Sequence, residues 1–245
     1  WDVGGESLAW VKVNDISSDE VVTAYWGNDS DLVAPAYRTD GSVWSGFEGV
    51  WHLSQALPNP VVASSTGNRN GSRDGGVTSG DSSAIGLGYL FDGLDDGITI
   101  SGYSGILGSS PRTFSAWIKT SGDTGDVTGW GGVGNHWQFG IASGTVRLTA
   151  GSGIMNGTTS VNDDNWHHLA VTFPTGSTDS NQSIIYFDGK KEPLGSSITG
   201  AVNSASGSDV VFGHGVQAPS RFNGKMDEIR ISGVARGSRW IRYSA

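Results

Sequence analysis

The sequence predicts an all-β protein, and three observations carry that prediction. Short runs of alternating apolar and polar residues recur along the chain, while few segments repeat apolar residues at helical spacing. Glycine is abundant, 39 of 245 residues, and falls between those runs, where turns need it. One stretch, NDDNWHHLAVTFPTGSTDSNQSIIYFDGK (162–190), holds strands rich in aromatic and β-branched residues at 166–173 and 183–187 around a polar connection. Asp188-Gly189 closes the second of them with a tight-turn signal. The pattern predicts an antiparallel hairpin packed on a core.

From the N-terminus, strands are predicted at 8–13 and 21–26, joined by NDISSDE and ended by GNDSD. Two strands alone are marginal in water, so these are expected to pair and to lean on a larger domain. Residues 35–48, with Pro35 and a Gly41-Ser42 turn, read as a linker. The chain thus divides into a partial N-terminal β module with its linker (1–47) and a main domain (48–245). A short strand at 50–53 precedes the long loop PNPVVASSTGNRNGSRDGG (58–76), and strands at 89–92 and 98–100 flank GLDDG. The strand at 113–119 alternates, with Phe114, Ala116 and Ile118 on one face and Ser115, Trp117 and Lys119 on the other. Residues 122–140 form a glycine-rich segment with exposed-looking aromatics, 146–149 a strand, and 151–162 a polar loop. Strands at 210–213 and 226–232 complete the set, and 234–243 is a short helix or a basic terminal strand. Trp51, Phe114, Trp166, Phe187, Ile229 and Ile231 are among the residues assigned to the core.

Composition narrows the function. A net charge of −9 without a basic stripe argues against a nucleic-acid surface. Cysteine is absent, which removes both disulfides and thiolate metal sites. No run reaches the ~18 apolar residues of a membrane span. No signal-peptide pattern opens the chain, and an exported protein whose segment is mature or excised from a longer one would look the same. Neither a G-x-S-x-G elbow nor an H-E-x-x-H helix occurs, and no period of 20–50 residues marks a repeat array.

WHHLAVTF followed by IYFDGK resembles the laminin-G-like branch of the concanavalin A-type lectin/glucanase jelly rolls. Five further motifs keep that family's order: VWHLS (50–54), SSTGNRNG (64–71), YLFDGLDDGITI (89–100), TFSAWIKT (113–120) and GKMDEIRIS (224–232). The resemblance implies an antiparallel jelly-roll β-sandwich, concanavalin A-like, with the N-terminal strands as a small β extension. WDVGGESLAWVKV with AYWGN resembles the end of a bacterial β module that often precedes such domains, which implies an extracellular or cell-surface setting. Laminarinase-type members of the superfamily carry E-x-D-x-E or E-x-D-x-x-E on one strand, aiming two carboxylates into one groove. This chain has no such pattern. Asp227 and Glu228 adjoin, Asp95-Asp96 and Asp163-Asp164 sit in turns, and His167 and His168 point to opposite faces of a strand, so no enzymatic activity is expected.

Two candidate sites follow. Trp130, His136 and Trp137 in the glycine-rich segment, with Arg147 and Asn156 after it, offer aromatic platforms beside polar groups for a sugar. The alternative is that the ten tryptophans mostly fill the core. Asp227 shares strand parity with Ile229 and Ile231, and Arg230 does not, so inward-facing isoleucines would take a lone carboxylate with them. The resemblance implies calcium there, held also by the loop after WHLS through Ser64, Asn68 and Asn70; Ser64 stands where that loop usually has an aspartate. Otherwise Asp227 accepts bonds from backbone amides at a strand end. The function expected is a non-catalytic extracellular module that binds carbohydrate, with structural calcium and with neither nucleic-acid binding nor membrane insertion. Its rivals are an adhesion module with a protein target and a structural spacer.

Overall fold

The computed structural model describes residues 42–55, 61–62, 65–66, 69–217 and 220–245. The strands expected at 8–13 and 21–26, and the module they belong to, lie outside the described residues. In chain order the strands are β1 (Gly49–Trp51), β2 (Val61–Val62), β3 (Gly71–Asp74), β4 (Thr78–Ser82), β5 (Leu87–Asp92) and β6 (Gly97–Ile100). Next come β7 (Arg112–Lys119), β8 (Gly125–Gly132), β9 (Asn135–Ala142), β10 (Thr145–Ala150), β11 (Gly153–Ser160) and β12 (Trp166–Phe173). After β13 (Ile184–Phe187), β14 (Lys190–Lys191), β15 (Leu194–Ile198), β16 (Val210–Phe212) and β17 (Asn223–Ser232), helix α1 (Ser238–Ser244) closes the chain.

These strands make two antiparallel sheets. The first runs β14-β13-β12-β7-β17-β5-β4, with β1 also paired to β17, and the second runs β15-β11-β10-β9-β8-β16-β6-β3-β2. Alternation decides what each sheet gives to the interior. In β10, Val146, Leu148 and Ala150 turn inward while Thr145, Arg147 and Thr149 turn out. The inner faces share one core, crossed by edge-on ring pairs between sheets: Trp51 with Phe212 at 4.9 Å, Phe114 with Phe139 at 5.9 Å and Phe173 with Trp137 at 5.8 Å. This is the jelly-roll sandwich that the resemblance implied.

Several expectations are corrected. The glycine-rich stretch 122–140 is the β8–β9 hairpin, and the polar loop 151–162 contains β11. In β11 the polar residues are only the outward half: Gly153, Met155 and Gly157 are buried between them. The long loop 58–76 contains β2 and β3, the short strands β4 and β15 were not foreseen, and the C-terminus takes the helical alternative. Trp166 is not in the core. Opposite Lys119, and two residues before His168 opposite Trp117, it lies half-buried on the outer face, because Leu169, Val171 and Phe173 claim the inner parity. Phe187 is half-buried at the core's margin.

A bulge in β17 corrects the parity argued for Asp227. Asp227 lies opposite Trp117 and Arg230 opposite Ser115, three steps on one strand against two on the other. Glu228 absorbs the extra residue with φ at +50°. Parity therefore inverts: Met226, Ile229 and Ile231 join the core, while Asp227 and Arg230 share the outer face.

Loop 101–111 is held by one side chain. The fully buried Arg112 donates to the carbonyls of Ile106 (2.7 Å), Gly108 (2.7 Å) and Ser110 (3.0 Å) and to the Ser204 hydroxyl (2.8 Å). Its guanidinium lies over Trp137, 4.9 Å from the ring centre, and burial lowers its pKa to about 10. Arg112→Met fills similar space but removes four hydrogen bonds and a buried cation's stacking, leaving the Ile106 and Gly108 carbonyls with only the Trp130 indole and the Ser204 amide as donors. It should cost about 3–5 kcal/mol, read as a shift in urea midpoint with the β signal retained at low denaturant.

Candidate functional site

The expected aromatic platform is not a surface. Trp130 and Trp137 are fully buried and stacked, 6.1 Å apart, and His136 is buried beside them. They lie directly opposite each other in the β8–β9 hairpin with inward parity, and Trp130 Nε1 donates to the Ile106 carbonyl at 3.2 Å. A glycine from another loop makes room for one of the rings. A side chain at Gly105 would strike the Trp130 indole.

The other two residues of that set, Arg147 and Asn156, are brought together. Both are half-buried on the outer face of the second sheet, within one row of directly opposed residues: Asp126, Gly140, Arg147, Asn156 and Ser196. The row crosses β8, β9, β10, β11 and β15, a span of about 19 Å at ordinary strand spacing. Arg147 Nε donates to Asn156 Oδ1 at 2.9 Å, and Asn156 Nδ2 donates to the exposed Ser196 hydroxyl at 2.9 Å. Gln138 and Thr149 extend the face in the adjacent row. Sequence reading missed Asp126, Gln138 and Ser196. Alternation in β9 and β11 carries the signal, hidden where these stretches were read as irregular.

One end of the row is tied down. Asp126 Oδ2 accepts the Ser220 amide at 3.3 Å, and Gln138 Oε1 accepts the Val216 amide at 3.1 Å. Burial raises the Asp126 pKa to about 6, against the lowering effect of Ser220, Gln138 and Arg147. The other end, from Arg147 to Ser196, is open. A carboxylate, a guanidinium, amides and a hydroxyl thus set acceptors and donors along one row of the sheet, with a glycine between the carboxylate and the guanidinium.

Asp227 is held by three hydrogen-bond donors. Its Oδ2 accepts the Ser83 hydroxyl (2.8 Å) and the Ile85 amide (2.9 Å), and its Oδ1 accepts the Glu228 amide (2.7 Å). Burial raises its pKa to about 6, opposed by these donors. Two backbone amides and a hydroxyl around this carboxylate match the alternative that the sequence left open beside calcium. Ser64 and Asn68 lie outside the described residues, and Asn70 leads into β3 of the other sheet. Among the described residues, Asp92, Asp95 and Asp96 bring ligand oxygens within 4.8 Å of one another. These are turn formers: Asp96 accepts the Gly76 and Asp92 amides, and Asp92 accepts the Leu94 amide. Glu228, released by the bulge, meets His52 Nδ1 and Arg230 Nη2. His167 stands between Asp163 and Asp188, and His168 is buried against Trp117 on the outer face.

Asp227→Ala leaves a half-buried hydroxyl and two amides without their acceptor. It should cost about 2–4 kcal/mol, equally in calcium and in chelator; a loss confined to calcium would show that the carboxylate serves a cation. Asp126 binds its proton more tightly folded than unfolded, so its contribution to stability is full below pH 3.8 and is lost as pH rises through about 6. Relative to the parent, Asp126→Asn should therefore gain melting temperature as pH rises from about 4 to 7. A difference that stays constant over that range would refute a buried acid.

A family model of the laminin G type, described as the concanavalin A-like lectin/glucanases superfamily, matches residues 91–242. Among solved structures, the chain is similar to domain 4 of AbnA, a GH43 extracellular arabinanase from Geobacillus stearothermophilus, in complex with arabinotriose. The TM-score is 0.62 at 18% identity, covering 80% of this chain and 97% of that one. It is also similar to the binding domain of Paraclostridial Mosquitocidal Protein 1 (TM-score 0.58, 15% identity, covering 81% of this chain and 51% of that one). The binding domain of botulinum neurotoxin DC in complex with rat synaptotagmin II gives a TM-score of 0.57 at 13% identity, again covering 81% and 51%. The chain spans about half of those toxin domains, and at these identities the likeness is one of fold. No curated protein matches.

Proposed function

Because this chain belongs to the concanavalin A-like lectin/glucanase superfamily, we propose that it is a non-catalytic carbohydrate-binding module of a bacterial surface or secreted protein, whose ligand face is the outer face of the second sheet. The row Asp126–Gly140–Arg147–Asn156–Ser196 carries this reading. Sugars present adjacent hydroxyls that both donate and accept, and a fixed line of alternating acceptors and donors answers them along a chain. Arg147 and Asn156 are already held by each other, so little ordering is left to be lost on binding. No calcium ion is needed to assemble the row. A domain of the same fold holding arabinotriose supports a saccharide ligand. Asp126 is the row's one carboxylate, and hydrolysis of a glycosidic bond needs two carboxyl groups facing one another, which supports a non-catalytic role. Among the described residues, no helix is long and apolar enough to cross a membrane.

A protein target is the second reading, favoured by the toxin binding domain of this fold that is held in complex with synaptotagmin. A polysaccharide array followed by calorimetry with the best oligosaccharide separates the two. Saturable saccharide binding should weaken about tenfold or more, roughly 1.4 kcal/mol, in Arg147→Ala and Asn156→Ala at unchanged melting temperature. Saccharide affinity that ignores both substitutions would place the ligand elsewhere, and no saccharide binding at all would leave the protein target or the spacer.

A further inference from the structure

The strands of the second sheet offer a ligand no ring to stack on. All their tryptophans and phenylalanines (Trp130, Trp137, Phe139 and Phe212) belong to the core. Hydrogen bonds and charge are therefore what select a ligand on the outer face. Arg147 is the one cation of the row and stands half-buried at its centre. Its Nε is committed to Asn156 Oδ1 at 2.9 Å. Nη1 and Nη2, which carry four of the five N–H donors of a guanidinium, have no acceptor and no ion pair among the described residues. The row's carboxylate does not supply one. Asp126 lies two strands away, beyond Gly140, and its Oδ2 is engaged with the Ser220 amide.

A half-buried guanidinium has given up part of its water, so unspent donors on it favour a ligand that brings acceptors. The best-matched acceptor is a carboxylate, which takes two parallel N–H bonds from the planar fork. We propose that the row selects a saccharide carrying a uronic acid, whose carboxylate is taken by Arg147. This rests on the carbohydrate reading and adds the class of ligand to it. Charge narrows the class further. The chain carries a net charge of −9, and the row sets a single cation beside a single carboxylate, so a densely charged polymer is repelled. Uronates spaced among neutral sugars meet Arg147 one at a time. Asn156 and Ser196 then answer the hydroxyls on one side, and Gln138 and Thr149 those of the adjacent row.

Removing the ligand's charge tests this without altering the protein. An array would carry glucuronoxylan, rhamnogalacturonan and gellan, each beside its carboxyl-reduced form, with neutral polysaccharides and dextran sulfate. Oligosaccharides of the best ligand, acidic and reduced, then go to calorimetry with the full chain. The acidic form should bind about tenfold more tightly than the reduced form, or better. Raising salt from about 20 to 500 mM should narrow that gap. In Arg147→Gln, at unchanged melting temperature, the two forms should bind about equally. Equal affinity of the parent chain for both forms, or binding confined to neutral polysaccharides, would overturn the proposal and leave the carbohydrate reading standing. Equally tight binding of dextran sulfate would overturn it too, as the mark of a general polyanion surface. No binding to any acidic or neutral saccharide would remove the carbohydrate reading, and the proposal with it.

Discussion

One extra residue in β17 sets the arrangement of the first sheet. β17 touches β1, β5 and β7, so its register is shared by half of that sheet. Without the bulge, a strict period of two would put Met226 on the face opposite Ile229 and Ile231, and one of the two sets would lose its place in the core. Glu228 takes a left-handed backbone conformation instead, and all three apolar residues face inward. The strain of placing a non-glycine residue there is offset by the pairing of its carboxylate with His52 and Arg230. Register beyond the bulge then sets Trp51 opposite Ile229, where the indole reaches Phe212 of the other sheet.

The fold was legible because its evidence is periodic and redundant. Alternation in β7, β10 and β12 and the turn at Asp188-Gly189 all point to the same antiparallel sandwich. Failures came where one inward position in two is filled by glycine. In β11 the inward residues include Gly153 and Gly157, so only Met155 advertises the core and the stretch reads as polar. In the β8–β9 hairpin, glycines make two buried tryptophans look stranded. Asp227 failed for a different reason: a bulge adds a residue without any change in composition, and parity counted across it is reversed. Trp166 shows that size is a weaker guide than parity, since its neighbours Leu169 and Val171 had already fixed the inner face.

The two outer faces are used differently. On the first sheet, Ile241 of α1 packs against Ala170 and Tyr186, Trp44 covers Arg230, and Arg236 reaches Ser232 and Gly46. On the second sheet, small and polar side chains form a strip that runs from the buried Asp126 through the half-buried Arg147 and Asn156 to the exposed Ser196. The candidate site was only half legible because its members come from five strands, and no spacing along a chain reports a row that runs across it. Arg147 and Asn156 were found for their chemistry, and their partners follow only from register.

Arg112 bears on the order of events in folding. Its bond to Ser204 joins residues 92 positions apart, and its stacking on Trp137 needs the β9 strand in place. The 101–111 loop can therefore close only after both sheets have met, so its contacts belong to the downhill side of the folding barrier. Weakening them is therefore expected to speed unfolding more than it slows folding.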